Sequence, residues 1–386
     1  MSIIIFLIIL GLLVLVHELG HFFIAKRVGI LVEEFGFGFP PRLWSQKIGE
    51  TIYSINLIPF GGFVKLYGEE QQELAGEKNV KINRTFFAKK PGQKTAVILG
   101  GVLMNTILAV IIYYFLLSAN GFQSEPLPLF RSYHFRFGRQ EGRVVVAGVL
   151  KNTPAYLAGI KEEDIILKFK LGPPNSQNNW TTILSGNQLI QKISLLNHIP
   201  ITIQFYNLKN GTTKILTITP VYDKKLGRAV IGVQLVDSVI IKYLTPRDKI
   251  FSGFFHSYNI LVYNLKTFAY LFQSAYKQGN VQIVSQSVSG PIGIFAIIQD
   301  LVKTSQGKFF INFFNVLAAL SLSLALVNVF PFPALDGGRM IFIVYELIFR
   351  KPISKKIEYY INYAGFAILL FLAALISISD IFKLIK

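Results

Sequence analysis

His17-Glu18-Leu19-Gly20-His21 carries the clearest chemical signal in the chain. Residues four apart on an α-helix share a face, so His17 and His21 can ligate one metal ion together. Glu18 then stands where a carboxylate can act as general base on a water at that ion. Random order also produces this pattern now and then, but here it falls inside a strongly apolar segment. Two His and a Glu in hydrocarbon are costly, and ionisable residues placed there are as a rule functional. A tetrahedral catalytic zinc takes three protein ligands and one water. His134, His198 and His256 lie in a long polar segment at another depth, and there is no cysteine. Among the carboxylates Asp336 stands out, closing Asn328-Val-Phe-Pro-Phe-Pro-Ala-Leu-Asp-Gly-Gly338. Pro331 and Pro333 interrupt a helix there, and Gly337 and Gly338 let the backbone turn. Asp336 is either the third ligand or the N-cap of the helix that follows, a position Asp favours.

The elements that position these residues are membrane spans. Apolar residues make up 52% of the 386 and charged residues 16%, against about 25% charged in ordinary globular proteins. Disorder and a disulfide-stapled fold are both excluded. Four stretches reach the length needed to cross a bilayer, about 20 mostly apolar residues: Ile3–Ala25, Thr95–Ser118, Phe309–Phe332 and Tyr359–Ile381. The first has no basic residue before it and no small-residue cleavage site, so it reads as a retained helix and not a signal peptide. Eleven Lys and Arg fall between Lys26 and Lys94, and five between Gly337 and Glu358. The positive-inside rule puts both connections in the cytoplasm and Asn120–Lys308 outside. His21 and Asp336 then sit at similar depth, at the cytoplasmic ends of the first and third spans. The net charge of +18 points to anionic lipid and away from nucleic acid.

Between the spans the texture changes three times. Residues 143–242 alternate short β-type runs with two helix-like pieces, Pro154–Gly159 and Gly186–Leu196, and read as a soluble α+β domain. Gly172–Ser185, rich in Pro, Asn and Ser, reads as a surface loop. Residues 245–308 hold aromatic and basic residues at helical spacing, which suits amphipathic helices in the membrane interface. Residues of about 30–70 suggest a β-hairpin, with Gly36-Phe37-Gly38 on one arm and Phe60-Gly61-Gly62 on the other. If it re-enters the membrane beside the metal, its edge can take an extended substrate as an added strand. The alternative is an ordinary cytoplasmic hairpin. Asn105 and Asn328 either orient substrate or metal ligands, or bond between helices.

Taken together these motifs resemble the site-2 protease family, in its bacterial form with a single PDZ domain. HELGH in the first span and NxxPxPxLDGG at the third are that family's metal motifs. Gly36–Pro40, Pro59–Phe63, Ser289–Gly293 and Asp380–Lys383 extend the match from end to end. The resemblance implies a polytopic α-helical membrane protein with four transmembrane helices, a membrane-associated β-hairpin and one PDZ domain. Its protease core would comprise residues 1–118 and 309–386. It implies one Zn2+ held by His17, His21 and Asp336, with Glu18 activating water. Gly36, Phe37, Gly38, Phe60, Gly61, Gly62, Asn105, Asn328, Pro331 and Pro333 would contact substrate. It further implies a multi-pass protein of the bacterial cytoplasmic membrane, its PDZ domain extracytoplasmic. The substrate would be a single-span protein, such as an anti-sigma factor or signal-peptide remnant, trimmed beforehand by another protease. Two departures stand in the PDZ region: Glu163-Asp164 replaces the usual Gly-Asp, and Leu171–Ser185 is an insertion. Its groove either takes a peptide carboxylate or acts only as a steric filter. In the second span, Val102 stands where the family has Pro. A PDZ adaptor would need no metal motif, and a metal permease would show repeated spans, which this chain lacks.

Overall fold

The computed structural model describes residues 2–69, 82–129, 133–207, 211–280, 282–304 and 309–385, with the side chains of Phe60, Gln282, Ile283, Gln286 and Thr304 outside the described part. The chain divides into two compact units. The first takes residues up to 113, 260–304 and 310 onward; the second is built on 114–259.

In the first unit α1 (Ser2–Arg27) is an unbroken apolar helix. Strands β1 (Val32–Ile48) and β2 (Thr51–Leu66) follow, but they are more than a simple hairpin. Phe35 pairs with both Val64 and Tyr53, Gly36 with Phe63 and Ser54, and Phe37 with Gly62 and Ile55. Trp44 to Lys47 pair in turn with Ile55 to Ile52. Each strand therefore doubles back, giving four segments in the order 42–48, 51–56, 32–37, 62–66. The breaks fall at Pro40–Pro41 and Pro59, where no N–H is available for the ladder. Gly38 and Gly61, with φ of +82° and +106°, make the bends. Phe22 of α1 meets the rings of Phe35 and Tyr53 at 5.2 and 6.0 Å. With Ala25, Ile30, Val32 and Leu66 it forms one cluster, which holds the sheet on the end of α1. Helix α2 (Pro91–Ala119) crosses α1 at glycines. A Cβ at Gly20 would stand 2.1 Å from the Gly100 carbonyl oxygen, so only small residues permit this approach.

The second unit holds β3 (Leu127–Pro128), β4 (Arg139–Val149), α3 (Pro154–Leu157), β5 (Asp164–Leu171), β6 (Thr181–Thr182), α4 (Gly186–Ser194), β7 (Ile201–Asn207), β8 (Thr212–Ile218), β9 (Val221–Asp223), β10 (Arg228–Val230) and β11 (Val233–Lys242). Its antiparallel sheet runs β3-β11-β4-β5-β7-β8, with β6 on β5 and β9–β10 apart. Strand β4 begins at Arg139 and β3 at Leu127, both before residue 143. Within the expected loop, Thr181 and Thr182 pair with Phe169 and Lys168. Alternate residues Ile201, Ile203 and Phe205 of β7 are fully buried. They meet Leu189 and Ile193 of α4 in the core. Ser185 caps α4 by accepting from the Gln188 N–H. Then come α5 (Pro246–Ile250) and α6 (Ser252–Gln278). Near the start of α6, His256 is buried with its Nδ1 3.2 Å from the Tyr243 hydroxyl.

The first unit resumes with α7 (Gln282–Ser287), α8 (Pro291–Thr304), α9 (Phe309–Val329), α10 (Asp336–Phe349) and α11 (Lys355–Ile385). Helices α1, α2, α9 and α11 are long and apolar enough to cross a membrane. Helix α9 stops at Val329, short of the expected Phe332, because Pro331 and Pro333 cannot continue it. Near the end of α11 the buried Asp380 accepts the N–H groups of Gly290 and Gly293, each at 2.8 Å. Lys383 reaches the Val288 carbonyl at 2.7 Å. The Ser289–Gly293 and Asp380–Lys383 segments thus lock α8 to α11.

Candidate metal centre

His17 and His21 lie one turn apart on α1, their rings edge to face with centroids 4.8 Å apart. Their Nε2 atoms are separated by 3.2 Å. Asp336 Oδ2 is 3.0 Å from His17 Nε2 and 3.4 Å from His21 Nε2. The three residues offer donor atoms all within 4.8 Å of one another. The cap position of α10 falls on Leu335, in extended backbone, so Asp336 is not engaged as the N-cap. Its Oδ2 is buried and has no hydrogen-bond partner among the described residues. A buried acceptor left so, with two imidazole nitrogens converging on it, is a ligand set that fits one tetrahedral cation and leaves an open position.

The turn before α10 depends on its glycines. A Cβ at Gly337 would stand 2.1 Å from the Phe330 carbonyl oxygen, and one at Gly338 2.2 Å from that of Phe332. Asn362 Oδ1 accepts the Ala334 N–H at 3.2 Å. Around the histidines, His21 Nδ1 lies 2.8 Å from the Val97 carbonyl. Asn105, fully buried, places Nδ2 3.4 Å from His17 Nδ1. Ser321 of α9 donates to the Asn105 backbone carbonyl at 2.8 Å. Asn328 Nδ2 stands 3.3 Å from His17 Nε2, on the donor side of the ring. The last segment of β2 runs past Glu18, close enough that a Cβ on Gly62 would stand 3.3 Å from Glu18 Cγ. Arg339, one turn beyond Asp336, pairs with Glu69.

The structure brings His17, His21, Asp336, Asn105 and Asn328 together, with Glu18 and Gly62 beside them. Gly36 and Phe37 lie in the sheet, and the Phe37 ring packs where a Cβ on Gly11 would be, at 3.1 Å. Gly38 and Gly61 serve the bends. Pro333 packs on Gly365 of α11. Sequence reasoning passed over Gly101: a Cβ there would stand 2.5 Å from His17 Cε1 and 2.6 Å from His21 Nε2. The signal available was the Gly100-Gly101 pair inside an apolar span.

Residues 5–372 match peptidase family M50. A zinc metalloprotease of Clostridium perfringens is 30% identical over 381 residues, covering 99% of this chain and 98% of its own. A zinc metalloprotease of Fusobacterium nucleatum is 29% identical over 384 residues, covering 100% and 99%. The regulator of sigma-W protease RasP of Bacillus subtilis is 26% identical over 469 residues, covering 99% and 99%. A PDZ domain from a Listeria monocytogenes SdrC-like protein also matches, at 17% identity and a TM-score of 0.19, over 28% of this chain and 93% of that one. The chain belongs to peptidase family M50 and is a multi-pass zinc metalloendopeptidase of the site-2 protease type.

Proposed function

We propose that this protease cuts a peptide bond within or next to the transmembrane helix of a single-span substrate. The observation that carries the reading is the meeting of His17 and His21, on a helix long and apolar enough to cross a membrane, with Asp336 Oδ2 at the start of α10, which has no hydrogen-bond partner among the described residues. One zinc ion held by these three would polarise the scissile carbonyl and acidify a water. Glu18 takes a proton from the attacking water and hands it to the leaving amine. Asn328, with its amide nitrogen next to His17 Nε2, donates to the substrate carbonyl. The sheet segment at 62–66 is an edge, and it passes Glu18. An unwound stretch of substrate pairs with that edge as an added strand, which presents its backbone to Glu18. Gly62 leaves room for it.

In this reading residues 1–118 and 309–386 form the protease core, with its catalytic side toward the cytoplasm. Residues 143–242 are an extracytoplasmic PDZ domain, and 245–308 lie along the membrane interface. That domain holds back substrates with bulky outer domains, so another protease trims them first. The name of the Bacillus relative supports a signalling substrate such as an anti-sigma factor. A signal-peptide remnant meets the same chemical requirement, a helix that can open.

The test is cleavage of a detergent-solubilised single-span protein with a helix-breaking pair in its span. The unmodified chain should give product; Glu18→Gln and zinc chelation should each abolish it. Cleavage that survives Glu18→Gln would overturn the assignment.

A further inference from the structure

We propose that Asn105 is the positioning residue for His17: its carbonyl Oδ1 accepts the Nδ1 proton and so commits Nε2 to the metal. This rests on the metal reading above. Nε2 of His17 faces Asp336 Oδ2 at 3.0 Å and His21 Nε2 at 3.2 Å, so it is the nitrogen that points to the cation. A neutral imidazole that ligates through one nitrogen carries its proton on the other. That proton needs an acceptor, because metal-ligating histidines donate their second N–H to a carbonyl, carboxylate or water. His21 has one, the Val97 backbone carbonyl at 2.8 Å. For His17 the group at that place is the Asn105 amide, 3.4 Å from Nδ1 and shielded completely from solvent.

The amide turns its NH2 toward His17 and leaves its buried Oδ1 with no hydrogen-bond partner among the described residues. With the proton on Nδ1, two donors would face each other while an acceptor stood idle. The two ends of an amide occupy almost the same volume, and hydrogen bonding decides between them. Turning the amide over gives the Nδ1 proton its acceptor. The amino group then occupies the edge that has no partner among the described residues. The backbone of Asn105 is fixed independently by the Ser321 hydroxyl at 2.8 Å, so the amide can turn without shifting α2.

The probe is zinc itself, titrated into the purified full-length chain in competition with a chromophoric chelator. Asn105→Leu keeps the volume and removes the acceptor, and is expected to weaken zinc binding about 10- to 100-fold. Asn105→Asp can accept and cannot donate, and is expected to hold zinc as tightly as the unmodified chain. The Asp variant decides the question even if the Leu variant fails to fold. Zinc loss in Asn105→Asp as large as in Asn105→Leu would overturn the proposal, because the donating end would then be the one in use. Unchanged affinity in a folded Asn105→Leu would overturn it as well. Failure of the unmodified chain to bind zinc would instead refute the metal reading on which it rests.

Discussion

Replacing Gly101 with alanine adds a single methyl group at the point where α2 touches His17 and His21. The new carbon would stand 2.5 Å from His17 Cε1, 2.6 Å from His21 Nε2 and 2.7 Å from His17 Nδ1. Carbon and nitrogen atoms want about 3.5 Å or more between them, so each contact is roughly 1 Å too short. Neither ring can simply turn aside, since His21 is held by Val97 and His17 sits against Asn105. Either α2 retreats or the rings leave their positions. Retreat is resisted by the Gly20–Gly100 crossing, which depends on backbone contact. Overpacking of this kind costs about 1–3 kcal/mol in stability. A displacement near 1 Å at a reacting group costs on the order of 100-fold in rate. Gly101→Ala is therefore expected to lower cleavage of a single-span substrate at least about 100-fold, with a parallel loss of bound zinc. Gly92→Ala is the matched control. It lies in the first turn of the same helix with nothing within 4 Å of the added methyl, and helix propensity favours alanine there. The paired measurements are zinc content after dialysis and initial cleavage rate, for both variants. A Gly101→Ala protein that keeps its zinc and cuts within threefold of the unmodified chain would refute this reasoning.

The Lys94–Glu346 pair, its lysine buried and its carboxylate half-buried with both oxygens 2.9 Å from Nζ, links α2 to α10. Lys94→Met alone should destabilise by about 2 kcal/mol by stranding Glu346, while adding Glu346→Leu should recover most of that in thermal unfolding. A single variant as stable as the double would show that the pair is not buried in this way. In the second unit, burial pushes His256 down to about 4. Between the ordinary histidine value of about 6.5 and that value, the unfolded chain binds a proton that the folded one refuses. The stability is complete above pH of about 6.5 and falls as pH drops toward 4, by roughly 3 kcal/mol. Unfolding followed between pH 7.5 and 5 should show this decline, and His256→Gln should flatten it. A decline of the same size in the variant would assign it to other groups.

What the sequence made legible depended on whether a signal was local. The HExxH spacing needs only helical periodicity, and His17 and His21 converge in the structure because residues four apart share a face. Asp336 was open between two roles because both are written in the same residues. Only the backbone decides, by putting Leu335 at the cap and leaving the carboxylate of Asp336 toward the histidines. The sheet was half legible. Phe-Gly alternation predicts strands, but the doubled pairing of Phe35 with Val64 and Tyr53 is a matter of register across the bends, and register is not local. Gly101 was invisible for a related reason. A glycine in a span has many uses, and this one is defined by two histidines eighty or more residues earlier in the chain that close against it. The same distance separates Asn105 from His17. A motif search finds His17, Glu18 and His21, whereas the groups that aim those side chains come from wherever the helices happen to cross. The crossing itself is set by Gly20 and Gly100, two residues with no chemistry of their own. The aim of the two histidines is thus written in the smallest side chains around them.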